Sequence, residues 1–177
     1  TPLLNQAGAL VNVYKDGSIY INHGGTEMGQ GLFIKVAQVV ANEFGVEIER
    51  VKVSATSTAK VPNTSPTAAS SGSDLNGMAA REACLRIKQN MSEFALEHFD
   101  LSIGELKFQD SCVLLGKKKI TFDDFVSLSY LNRVELFSNG FYKTPKIYFD
   151  ASKQKGRPFY YYSYGACVSE VLVDCLT

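Results

Sequence analysis

Two stretches hold the residue types from which a binding chemistry could be built. The first is His23-Gly24-Gly25-Thr26-Glu27-Met28-Gly29-Gln30-Gly31. Glycine carries no Cβ, so backbone N–H groups there can approach an electron-rich ligand closely. A helix following this stretch adds free donors and a partial positive charge at its start, which suits a phosphate or another anionic group. The spacing fits neither G-x-G-x-x-G nor G-x-x-x-x-G-K-[ST], and a flexible turn is the competing reading. Gln30 adds an amide that both donates and accepts, better suited to an oxo ligand or the edge of a heterocycle than to a bare phosphate. The second stretch is Asn63-Thr64-Ser65-Pro66-Thr67-Ala68-Ala69-Ser70-Ser71-Gly72-Ser73. Its small side chains expose backbone donors, its hydroxyls add more, and it too leads into a helix. Two such loops could clasp one polyanionic ligand; an ordinary Ser/Thr loop with a helix cap is the alternative.

The remaining reactive residues form no constellation. No nucleophile is tied to His23, which reads as a strand-end histidine satisfied by backbone rather than a general base. Glu27 reads as solvated or capping rather than as an acid or base. Tyr160-Tyr161-Tyr162-Ser163-Tyr164 could stack on a ring, but core or interface packing is the favoured reading. The four cysteines (Cys84, Cys112, Cys167 and Cys175) contain no C-x-x-C pair, and the two histidines lie far apart. A zinc site therefore has little support, and the cysteines read as reduced and mostly structural.

The elements that must position these stretches follow from hydrophobic spacing. The chain has 177 residues, 45% hydrophobic, 11% aromatic and 20% charged, enough for one domain with a real core and unlike a disordered tail or a coiled-coil rod. Eighteen basic and eighteen acidic residues give no net charge, so a nucleic-acid partner is not expected. No window approaches the length of a membrane span, and no signal peptide is visible; a cytoplasmic location is expected. Residues 9–14 and 19–21 flank Lys15-Asp16-Gly17-Ser18, a good hairpin signal. Phe33, Val36, Ala37, Val40 and Phe44 recur at helical spacing, predicting a helix over 29–44 that ends at Gly45. Residues 51–54 read as a strand and 55–72 as a long loop. Ala80, Ala83, Cys84, Ile87, Met91 and Phe94 outline a second helix over 73–98, capped by Ser73 or Asp74. Residues 111–115 and 118–121 suggest a hairpin turning at Gly116, and 122–131 a short helix. Residues 134–142 and 166–173 read as strands, with Glu170 and Asp174 on the outer face of the latter, and 143–159 as a loop.

At the two loops the sequence resembles the molybdopterin-binding part of the xanthine dehydrogenase and aldehyde oxidase family, and within it the eukaryotic-type xanthine dehydrogenases most. The resemblance is carried by Gly24 through Gly31, by Val61-Pro62-Asn63-Thr64-Ser65-Pro66-Thr67-Ala68-Ala69-Ser70, and by Leu4-Asn5-Gln6-Ala7-Gly8-Ala9. Gly140-Phe141-Tyr142-Lys143-Thr144-Pro145 and Phe159-Tyr160-Tyr161 through Glu170 continue it. It implies an α+β fold of twisted sheets with packed helices, and an enzyme that hydroxylates purines such as xanthine or hypoxanthine with oxygen from water. Aldehydes are the alternative substrates, and an inert structural or interaction module that keeps the fold is the alternative to an enzyme. The resemblance assigns Met28, Gly29, Gln30 and Gly31 to the segment that contacts the pterin. It assigns Thr67, Ala68, Ala69, Ser70 and Ser71 to the second cofactor loop, with Ala69 nearest the molybdenum. No protein metal ligand is implied, because pterin dithiolene sulfurs hold the metal. Gly72 departs from relatives that carry Ser or Ala there. The family's Gly-Glu-Pro-Pro base segment, its substrate-orienting arginines and its cluster-binding cysteines are absent. Residues 1–177 are therefore expected to be one piece of a molybdopterin-binding domain, inactive and empty of cofactor in isolation. The parent is expected to carry 2Fe-2S clusters and FAD, to use NAD or oxygen as acceptor, and to form a homodimer.

Overall fold

Asp16 and Gly17 reverse the chain between β1 (Gln6–Val13) and β2 (Ile19–His23), which pair antiparallel with Val11 opposite Ile21 and Val13 opposite Ile19. Gly17 sits at φ 81°, a conformation open to glycine, and the Asp16 carboxylate accepts the Ser18 N–H at 3.0 Å. Val11, Val13, Ile19 and Ile21 share one face by the two-residue period, and all four are buried. These features come from a computed structural model that describes residues 2–60, 62–102, 104–162 and 165–176. Val61, Ser163 and Tyr164, quoted above among the motifs, lie outside the described residues.

The sheet grows at both edges. β3 (Val51–Val53) joins β2 in parallel and β7 (Phe137–Lys143) joins β1 antiparallel, giving the order β3-β2-β1-β7. Two helices supply the rest of the core. α1 (Leu32–Phe44) buries Leu32, Val36, Val40 and Phe44 at helical spacing, and α2 (Gly72–His98) buries Ala79, Ala83, Ile87 and Met91. α2 lies against β1, β7 and α1. It comes so close to β7 that a Cβ on Gly140 would collide with the Ala79 carbonyl oxygen and fall 2.6 Å from the Ala83 nitrogen. α1 stops at Gly45, which takes φ 63° and closes the helix on Ala41 and Asn42.

A three-stranded meander, β4 (Leu106–Gln109), β5 (Cys112–Leu115) and β6 (Lys118–Thr121), runs into α3 (Phe122–Leu131). Thr121 caps α3 by accepting the Asp124 N–H at 3.1 Å. Phe122 packs on Phe44 and Phe125 on Phe94, with ring centroids 5.8 and 6.4 Å apart, which fastens this unit to α1 and α2. The architecture is α+β.

Several expectations are corrected. α1 starts at Leu32, not at residue 29, because Gly29 and Gly31 take left-handed backbone at φ 98° and 76°. α2 starts at Gly72 behind a 3-10 turn over Ala69–Ser71, and neither Ser73 nor Asp74 caps it. Residues 143–159 are not all loop: β8 (Tyr148–Asp150) and β9 (Lys155–Arg157) form a small hairpin. No strand forms over 166–173. Val168, Val171 and Leu172 there are almost fully exposed, and no described strand pairs with the segment; β propensity without a ladder partner does not hold a strand. The four cysteines are free thiols, but only Cys84 is buried; Cys167 and Cys175 are exposed, so the structural reading fails for them.

Candidate functional site

The loop after β2 is held by its own side chains. Glu27 reaches forward along it: one carboxylate oxygen accepts the N–H groups of Gly29 and Gly31 at 2.8 and 3.0 Å, and the other accepts that of Phe33 at 3.0 Å. Glu27 thus satisfies donors that the start of α1 would otherwise leave open. These bonds, that from Phe33 first, hold its carboxyl below the usual range. Gln30 is also turned inward. Its Oε1 accepts the Met28 N–H at 2.6 Å and its Nε2 donates to the Thr26 carbonyl at 2.8 Å. An amide has two N–H donors and two acceptor lone pairs, so one of each stays available at the exposed loop surface. His23 is buried beneath, accepting the Gly25 N–H on Nδ1 at 3.1 Å, while its Nε2 is buried without a partner, so backbone satisfies one of its two ring nitrogens and the expectation of a fully satisfied histidine is met only in part.

The second loop is built differently. Ser65 pins it to the start of β1, its N–H donating to the Gln6 carbonyl at 2.9 Å and its Oγ accepting the Gln6 N–H at 3.2 Å. Pro62 lies on Gly8, where an added Cβ would fall 2.9 Å from the proline Cβ. Ala69 takes φ 56°, the left-handed region that non-glycine residues avoid at a cost of about 1 kcal/mol or more. The turn is therefore imposed by its surroundings rather than chosen by Ala69. Gly72 is an ordinary right-handed helical residue (φ −64°), and an added Cβ would meet only Leu32 and Thr67 at 3.5 Å or more. A Ser or Ala side chain would fit there.

The structure brings the two loops together. The Thr26 N–H donates to Thr67 Oγ1 at 2.8 Å. Gly25 packs between the helix starts, where a Cβ would fall 2.8 Å from Asn76 Nδ2 of α2 and also crowd Leu32 of α1. Beside the second loop opens a cavity of about 610 Å³. Ala68, Ala69, Ser70 and Ser71 form one part of its lining, and Phe159, Tyr160 and Tyr161 another. Asn5, Asp74 and Thr144 add polar groups, and Asp74 Oδ1 and Thr144 Oγ1 are buried without a protein partner. Burial, then the nearby Asp74 carboxylate, pushes the Tyr161 hydroxyl up. Tyr160 and Tyr161 are thus half-exposed cavity walls rather than core, and Tyr162 is exposed outside the lining. Met28, Gly29, Gln30 and Gly31 are not in the lining; they reach the cavity's neighbourhood only through the Thr26–Thr67 bond.

A family model for the molybdopterin cofactor-binding domain matches residues 1–177. The chain belongs to that family. This chain is 45% identical over 179 residues to a xanthine dehydrogenase/oxidase of Felis catus, and 46% identical over 177 residues to a xanthine dehydrogenase of Oryza sativa subsp. japonica. The matches take in 99% and 100% of this chain but 12% of either relative, so the chain spans about an eighth of the length of these curated relatives. Two solved structures share the fold. A Cu,Mo-CO dehydrogenase superposes with a TM-score of 0.71 at 21% identity, over 80% of this chain and 19% of that one. The aldehyde oxidoreductase of Desulfovibrio gigas superposes with a TM-score of 0.63 at 20% identity, over 87% of this chain and 15% of that one.

Reading residues one by one, the sequence missed Asn5, Asp74 and Thr144 as members of a molybdopterin-binding domain's cavity. A signal existed: Asn5 and Thr144 lie inside two quoted motifs, at the start of β1 and the end of β7. The Thr144 N–H donates to the Asn5 carbonyl at 3.1 Å, so these motifs are adjacent in space although far apart in sequence. Among the described residues no three His, Cys, Asp or Glu side chains cluster as a metal site, and no helix is long and apolar enough to cross a membrane.

Proposed function

We propose that this chain holds the pterin of a molybdenum hydroxylase that oxidises purines, xanthine or hypoxanthine, with oxygen from water. In this reading Met28, Gly29, Gln30 and Gly31 contact the cofactor from one loop. Thr67, Ala68, Ala69, Ser70 and Ser71 contact it from the other, with Ala69 nearest the molybdenum. The observation that carries the reading is the Thr26–Thr67 bond, which joins two small-residue loops beside a cavity of about 610 Å³. The residues fit the group. α2 begins with no side-chain cap, leaving donors for a ligand. The lining of Ala68, Ala69, Ser70 and Ser71 admits close approach to backbone, and the unpartnered Asp74 Oδ1 and Thr144 Oγ1 offer polar partners.

When bound, the molybdenum centre supplies oxygen transfer and takes up the electrons. The chain's own residues bind, orient and exclude water. Glu27 keeps the first loop closed, Gln30 offers its remaining donor and acceptor to the edge of a fused heterocycle, and Phe159 and Tyr160 offer faces on which a flat ring can stack. A purine rather than an aldehyde substrate is supported by the names of the sequence relatives. By the same likeness we propose that the complete protein carries 2Fe-2S clusters and FAD, passes electrons to NAD or oxygen, is a homodimer and resides in the cytoplasm.

The test is the molybdenum and oxidised-pterin content of the complete polypeptide, made in a host that synthesises the cofactor, followed by turnover of xanthine and of aldehydes. Near-stoichiometric molybdenum and pterin, with xanthine turned over in preference, are expected. Gln30→Ala should lower turnover about 10-fold, since a placed donor contributes one to a few kcal/mol. Absence of both molybdenum and pterin would overturn the reading, and unchanged Gln30→Ala turnover at full occupancy would remove Gln30 from the site.

A further inference from the structure

The glycine pattern after β2 suits an anion, and the structure shows which anion is there. Gly29 and Gly31 take left-handed backbone at φ 98° and 76°, the kind of turn in which successive N–H groups form an anion-binding hollow. The donors of Gly29, Gly31 and Phe33 all end on one carboxylate, that of Glu27. Its Oε1 accepts the first two at 2.8 and 3.0 Å, and its Oε2 accepts the third at 3.0 Å. Three backbone donors at the start of a helix are the seat that a bound phosphate or carboxylate takes. Here that seat is filled from within the chain. Gly31, the residue before α1, has no side chain with which to cap it. Glu27, four residues earlier, supplies the cap and brings a negative charge with it. Its bonds, that from Phe33 first, hold the carboxyl below the usual range, so it is ionised at neutral pH. The rest of the loop is engaged as well. The Thr26 N–H goes to Thr67 Oγ1, the Met28 N–H to Gln30 Oε1, and Lys35 Nζ donates to the Gln30 carbonyl at 3.0 Å. A second anion approaching the seat meets like charge and donors already taken.

We propose that Glu27 determines what this loop accepts: as a built-in anion it fills the seat at the start of α1, so the loop refuses phosphate and carboxylate groups and receives the uncharged part of a ligand. Gln30, with one donor and one acceptor left at the surface, suits that part. For the cofactor, this rests on reading the loop as half of the pterin site: the edge of the ring belongs at this loop, and a phosphate ester on the same ligand does not. Glu27 touches no ligand in this role; it acts through the backbone donors it occupies.

Backbone hydrogen exchange read by mass spectrometry on the complete, cofactor-free polypeptide tests the proposal, with inorganic phosphate as the probe. In the parent protein, millimolar phosphate should leave exchange unchanged in peptides covering 24–34, because the seat is full. Added protection there would overturn the proposal. Glu27→Ala empties the seat, so exchange in the same peptides should rise about 10-fold, while a peptide covering β1 keeps its protection. Phosphate or acetate should then restore most of what was lost, a rescue that a side chain needed only for packing would not allow. No rise in Glu27→Ala, or a rise that neither anion reverses, would overturn the proposal. The measurement on the parent decides by itself if Glu27→Ala does not fold. No pterin enters this experiment. A complete polypeptide that never holds molybdenum or pterin would therefore sink the cofactor reading and leave the phosphate result to decide the role of Glu27.

Discussion

The Thr26 N–H meets Thr67 Oγ1 at 2.8 Å, a bond between residues 41 apart in sequence that ties the loop after β2 to the loop before α2. Each loop is also held from its own side, by Glu27 in one and by Ser65 on Gln6 in the other. The Thr26–Thr67 bond adds their relative position.

Thr67→Val keeps the shape and removes the acceptor. A single such bond contributes about 1 kcal/mol, so the complete protein should hold pterin about 5-fold less tightly. Thr67→Ser should stay near the parent value. Pterin retained after dialysis is the measurement, and equal retention by Thr67→Val would show the bond to be incidental.

Gly140→Ala should destabilise the fold by about 3 kcal/mol, because the new methyl has no space against the Ala79 carbonyl and the Ala83 nitrogen. Both neighbours are backbone of a long helix, so relief requires moving α2 off β7. Urea denaturation reads this. A midpoint equal to the parent's would mean α2 does not lie where it is described.

Gly72→Ala should act in the opposite direction. The backbone there is right-handed helical and the nearest atoms lie at ordinary contact distance. Removing glycine's unfolded-state freedom should stabilise by about 0.5–1 kcal/mol without loss of pterin. Destabilisation in the same urea assay would contradict that local geometry.

Acidification should weaken the fold through His23. Burial pushes its imidazole down from 6.5 to about 4. Between those values the unfolded chain binds a proton that the folded chain refuses, so stability rises with pH across this window. At about 1.36 kcal/mol per unit, the contribution is about 3 kcal/mol, present above pH 6.5 and lost as the pH falls to 4. In His23→Asn the stability lost between pH 6.5 and 4 should be smaller by that amount; an unchanged loss would assign it to other groups.

The sequence by itself determined what depends on near neighbours. Asp16 and Gly17 announced the β1–β2 turn, and the bounds of α3 matched the 122–131 reading. Gly45 ended α1, and Val11, Val13, Ile19 and Ile21 faced inward as their alternation required. Each of these signals acts within a few residues, through turn geometry, capping or the period of side chains. Four of the quoted motifs also meet around one cavity, at the start of β1, the second loop, the end of β7 and Phe159–Tyr161, whereas Gly24 through Gly31 does not line it. Only the tertiary structure decided the rest. Gly29 and Gly31 took left-handed backbone, which put the start of α1 at Leu32, and Glu27 reached across the loop to the Phe33 N–H. Gly140 proved to be a point of close helix approach, and Asp74, expected as a cap, became part of a cavity lining with Tyr161. Residues 166–173 have the alternation of a strand and no described neighbour to pair with. These outcomes depend on which distant backbone arrives alongside, and a linear pattern holds no record of that.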